Sequence, residues 1–214
     1  MLLPSEEVER VFRKVAALRA HLKTRQPGQP DLELDFELMA DAPSDMYDLT
    51  IEIHEVSNKG QYIAGMVERY TQNRAVILAR SQQSDAMLRL VIVKELCHLM
   101  IDEEDDWSAD GLLTIREMKV EFDLARKNGD GVANPSRTQM SEQLAFVAAV
   151  AVMYPCELHQ ADSDKISEGH TTVAKIALEH NMPAWAVENA HTHSELFGLY
   201  EAIAVEMEHP PKAH

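Results

Sequence analysis

Bases and cysteines are both scarce in this chain, and each shortage narrows what it can be. Lysine and arginine together number 20 against 36 aspartates and glutamates, a formal net charge of −16 over 214 residues. Phosphate backbones are held by clustered lysine and arginine, so direct nucleic-acid binding is not expected. Two cysteines, Cys97 and Cys156, both in apolar contexts, read as buried thiols rather than a disulfide framework. The apolar stretch from Leu144 to Met153 falls well short of the roughly 18–20 residues that span a membrane, and no membrane role is expected. The N-terminus, Met-Leu-Leu-Pro-Ser-Glu-Glu, lacks a basic region before an apolar one and does not read as a secretory signal. A cytoplasmic location is the expectation.

What the chain does have is enough apolar residue (45%) for a full core, and no repeat or evident linker divides it. The expectation is therefore one domain over 1–214. Its parts are an N-terminal helix and loop (1–48), a core (49–160) and a helical C-terminal segment (161–214). Val8, Val11, Phe12, Val15, Leu18 and Leu22 recur at helical spacing behind Ser5, an N-cap, and predict a helix over 5–24. Residues 31–48 are acidic, weakly patterned and carry Ala-Pro-Ser-Asp, which predicts loop. Strands are expected at 49–56, 62–70 and 74–79, with His54 on an exposed face. Helices are expected at 85–102, 112–127 and 141–153. A helix–turn–helix outline follows at 171–190, then a last helix to about Glu208. The acidic run 102–106 reads as a solvated loop, since the spaced oxygen ligands of a calcium site are missing.

The sharpest chemical signal is Lys94-Glu95-Leu96-Cys97-His98. In H-E-x-x-H two histidines on one helix face hold zinc, and the glutamate activates the metal-bound water. Here Glu95 and His98 stand in place and Lys94 occupies the first ligand position. The same Glu95-x-x-His98 spacing occurs in di-iron bundles, and Glu206-x-x-His209 repeats it. That class needs four helices and two further glutamates, and strands are expected over much of 49–79. An ordinary amphipathic helix with two polar residues is the plainest alternative. His159, His170 and His180 are expected to be scattered and solvated. His191 and His193 are too close in a helix to share one face, though in a loop they could chelate.

The order of pieces over roughly 50–200 resembles the ImmA/IrrE metallopeptidases. They comprise the strand Ala75-Val-Ile-Leu78, Arg89, the motif at 94–98, then Glu142-x-x-Ala145 and an apolar stretch closing on Tyr154-Pro155. The segment 171–190 matches that family's C-terminal part. The resemblance implies an α+β, zincin-like domain with helices packed on a small sheet. It also implies Glu95 as the catalytic glutamate, His98 as the second zinc ligand and Glu142 as the third. Cys97 stands where the family has glycine, and Tyr154 where it has methionine.

Lysine must lose a proton to ligate zinc, and neighbouring carboxylates would hold that proton more firmly. Lys94 is thus expected to replace the metal's charge, paired with Glu142 beside His98 in a site without metal. The favoured function is a degenerate peptidase that acts by binding a protein. A helix–turn–helix regulator of a phage or mobile element is the partner the resemblance implies. The alternative is an active zinc peptidase with Glu95 as general base and a non-standard first ligand.

Overall fold

The computed structural model describes residues 4–25, 36–57, 64–70, 72–103 and 136–208. Among these the architecture is α+β, with eight helices around one three-stranded sheet. The helix expected over 112–127, and most of the acidic run 102–106, lie outside the described residues.

The sheet comprises β1 (Thr50–Val56), β2 (Gly65–Tyr70) and β3 (Arg74–Arg80), in the order β1-β3-β2. β3 pairs parallel with β1, Ile53 opposite Ile77, and antiparallel with β2, Val67 opposite Ile77. As the central strand it buries Ala75, Val76, Ile77 and Ala79 on both faces, which is why it reads as a continuous apolar run. His54 lies exposed on edge strand β1, as expected.

Helix α1 (Ser5–Arg25) buries the apolar stripe read from its periodicity. Helix α2 (Phe36–Tyr47) corrects the expectation of loop, and it does so with Pro43 inside it. Met39 and Ala42 are buried, and the helix packs against α1 and α3. Tertiary burial thus outweighs the backbone hydrogen bond that proline removes.

The motif helix α3 (Asp85–Ile101) is capped by Ser84, whose hydroxyl accepts from the Met87 amide. From Leu90 to Ile101 every residue but Lys94 is buried, because the sheet covers one side and α4 (Arg137–Met153) the other. α4 begins four residues before the expected start at Ser141, behind the cap Ser136. Its Ala145, Ala148, Ala149 and Ala151 are fully buried, and side chains this small let neighbouring helices approach closely.

The sequence pattern singles out no element between Pro155 and Thr171, yet α5 (Cys156–Ser167) lies there, polar and buried only at Cys156, His159 and Asp162. The helix–turn–helix outline is present as α6 (Val173–Glu179) and α7 (Ala184–Thr192). α8 (Ser194–Glu208) returns to α1, with the Tyr200 ring 5.2 Å from that of Phe12. No single described helix is long and apolar enough to cross a membrane. α4 and α5 pass that test only together, bent by 78°.

Candidate functional site

α3 and α4 bring Lys94, Glu95, His98 and Glu142 together. Lys94 Nζ lies 2.7 Å from Glu142 Oε2, 3.0 Å from Glu95 Oε1 and 3.3 Å from His98 Nε2. Its side chain is only 18% exposed and that of Glu95 3%, so the ammonium sits inside the protein among its partners. On the floor of the site, β2 crosses α3 at Gly65. A Cβ there would stand 2.3 Å from Val91 Cγ1 and 3.2 Å from Glu95 Oε1, a space that only glycine leaves free.

His98 is held from behind. Its Nδ1 donates to Asp102 Oδ2 at 2.8 Å, and Ser141 Oγ donates to Asp102 Oδ1 at 2.7 Å. Its Nε2 faces Glu142 Oε1 at 3.4 Å. Asp102 and Ser141 are the site residues that sequence reading missed. Asp102, the C-cap of α3, is four residues after His98, a spacing that puts the two on one side, but it also opens the acidic run 102–106, which reads as loop. Ser141 gives no signal of its own, since it becomes relevant only when α4 docks on α3.

The electrostatics follow from these contacts. Burial disfavours the His98 imidazolium, but the hydrogen bonds to Asp102 and Glu142 outweigh it and raise the ring to about 9. Burial likewise opposes charge on Glu142, yet His98 and Lys94 bring it down to about 2. Burial also opposes the Lys94 ammonium, while Glu95 and Glu142 hold its proton above the ordinary value. These contacts favour the charged forms of Lys94 and His98 and the carboxylate form of Glu142.

Such a donor set does not fit a catalytic zinc. That ion takes three protein ligands and leaves the fourth position open, and its histidines must be neutral. Here His98 and Glu142 offer two groups, both already engaged in hydrogen bonds, and the first ligand position holds an ammonium. Among the described residues no three histidine, cysteine, aspartate or glutamate side chains are arranged to hold a metal ion. Glu206 pairs with Arg13 at 3.0 Å on the α1–α8 surface, away from the arrangement a di-iron bundle needs.

Two of the remaining histidines depart from expectation. His170 and His193 are exposed, but His159 and His180 are buried at 4% and 9% exposure, not solvated. Both gather with His191 around Tyr154, where α4 ends. Cys97 and Cys156 are buried free thiols; burial raises both, Cys156 to about 12, so neither is a reactive thiolate. A cleft of about 410 Å³ opens on the far side of Asp102, bordered by Glu7, Arg10, Arg137 and Ser141, and neither Lys94 nor Glu95 lines it.

Neither a protein-family model nor a curated protein matches this chain.

Proposed function

We propose that the protein is a degenerate metallopeptidase of the ImmA/IrrE type that acts by binding another protein. The observation that carries this reading is the Lys94 ammonium, 2.7–3.3 Å from Glu142, Glu95 and His98, where the resemblance puts the first zinc ligand. A positive charge at that point offsets the carboxylates as a metal ion would, but it offers no Lewis acidity and no activated water. With hydrolysis gone, what such a scaffold retains is a surface. A helix–turn–helix transcription regulator is the partner class implied by the resemblance. The excess of 36 acids over 20 bases supports a protein partner over direct contact with nucleic acid.

One observation favours the alternative, an active zinc peptidase with Glu95 as general base. The Asp102 carboxylate orients His98 from its Nδ1 side, as carboxylates do behind metal-bound histidines. Elemental analysis separates the two. Protein purified without added zinc should contain far less than one zinc per chain, and Lys94→His should raise this towards one through the new imidazole, His98 and Glu142. Stoichiometric zinc in the unaltered protein after dialysis would overturn the degenerate reading. A folded Lys94→His chain that gains no zinc affinity would overturn the kinship with zinc peptidases.

A further inference from the structure

The second cluster of titratable groups lies away from Lys94, where α4, α5, α6, α7 and α8 meet. The His159 ring of α5 is stacked between Phe197 of α8, with centroids 4.3 Å apart and planes at 16°, and His191 of α7, at 4.7 Å and 22°. His159 is 4% exposed. It has a backbone partner in the Ala190 carbonyl of α7, but its Nε2 is buried with no hydrogen-bond partner. A neutral ring tolerates that, with the lone pair left on Nε2. A proton there would create a buried N–H with nothing to accept it, flanked by an apolar ring and a second imidazole.

No carboxylate in the cluster is free to receive it. Asp162, one turn along α5, accepts from His180 Nε2 at 2.6 Å, from Tyr154 Oη at 3.1 Å and from Lys165 Nζ at 2.7 Å. Its field reaches both His159 and His191 and favours their charged forms, but burial outweighs it. His191 is fixed on both nitrogens, Nε2 to Tyr154 Oη at 3.2 Å and Nδ1 to Ser163 Oγ at 3.1 Å. Its own protonation would put a cation face to face with His159, so charge on either ring opposes charge on the other.

We propose that the stacked His159–His191 pair is an acid-sensitive latch, holding α5, α7 and α8 together while neutral and releasing them when it takes up a proton. Desolvation and the neighbouring His191 lower His159 from 6.5 to about 4, which supports the geometric argument. A base whose folded value lies below its unfolded one binds more protons when released. The latch is therefore closed above about pH 6.5 and opens as pH falls towards 4. This inference is independent of what happens at Lys94.

Trp185 of α7 reports the event, because its ring stacks on Phe146 of α4 at 5.2 Å and 16°. The chain has two tryptophans, so Trp107→Phe leaves Trp185 as the sole tryptophan, excited apart from the tyrosines at long wavelength. In that background Trp185 fluorescence should change cooperatively between pH 6.5 and 4. Imidazole NMR should show His159 neutral until the same midpoint and charged beyond it. His159→Phe keeps a ring in the stack but cannot take up a proton, and it should move the midpoint down by about one pH unit or more. A His159 that titrates near 6.5 without any change at Trp185 would overturn the latch. So would a midpoint that His159→Phe leaves in place. Should that variant fail to fold, the NMR titration of the unaltered stack decides alone.

Discussion

An ammonium and a zinc ion both bring positive charge to a group of carboxylates, but only the ammonium brings it as hydrogen-bond donors on a tethered stem. That difference makes Lys94 a structural ion whose value can be measured. The Lys94 side chain, 18% exposed, faces Glu95 at 3% and Glu142 at 35% exposure, so Lys94→Met would strand one buried and one partly exposed carboxylate. Removing one partner of a buried pair costs about 3–5 kcal/mol, where a surface pair is worth about 0–1. Because Glu142 is 35% exposed, Lys94→Met should lower unfolding free energy at pH 7 by an amount between these limits, about 1–3 kcal/mol. Lys94→Met with Glu142→Gln should lose less than the sum of the two single changes, by at least about 1 kcal/mol. Denaturant unfolding of all four proteins measures the coupling, and a neutral Lys94→Met would mean that the ammonium contributes nothing to the fold.

Elements here are placed by small residues and by caps more than by propensity. The crossing of β2 over α3 depends on Gly65, since a methyl group would meet Val91 Cγ1 at 2.3 Å. Val91 is β-branched and 3% exposed, so it has little room to move. Gly65→Ala should cost about 1–3 kcal/mol, the usual range for overpacking, and Val91→Ala in the same chain should restore part of it. Thermal unfolding of the three variants checks this. If Gly65→Ala is as stable as the parent, strand and helix are further apart than described. α2 and α5 make the opposite point: one holds a proline and the other is mostly polar, yet both are helical because each supplies a few buried residues to its neighbours.

At the scale of the whole molecule the buried ionisable groups shape the stability–pH profile of the metal-free protein. Glu142 is lowered to about 2, so its contribution is present above about 4.5 and is lost as pH falls towards 2. His98 is raised to about 9, so its contribution is complete below 6.5 and is lost as pH rises through 9. His159 is lowered to about 4, which adds a second loss between 6.5 and 4. Stability should thus be greatest near pH 6.5 and fall on both sides. The alkaline limb belongs to His98 and is worth at most about 3 kcal/mol. Asp102→Asn removes the anion behind Nδ1 and should flatten that limb while lowering stability at pH 6. Unfolding free energies from pH 5 to 10 test it, and a flat parent profile between 6.5 and 9 would show that His98 is not charged there.

Much of this architecture could be read from neighbours along the chain. Helical periodicity marks α1 and α3 and alternation marks β1, because each pattern records which side of a local element meets the core. The K-E-x-x-H spacing put Lys94 and His98 on one helix face before any packing was known. Partners supplied by other elements leave no such record. Ser141 joins Asp102 only when α4 lies on α3, and His159 and His180 look like surface histidines until α5 and α8 enclose them. α2 is a helix only because α1 and α3 bury Met39 and Ala42. The sequence by itself determined the α+β class and the charge that stands at position 94. Tertiary structure alone decided that Asp102 and Ser141 hold His98 from behind and which histidines lose their water, because burial and pairing are properties of the packed chain.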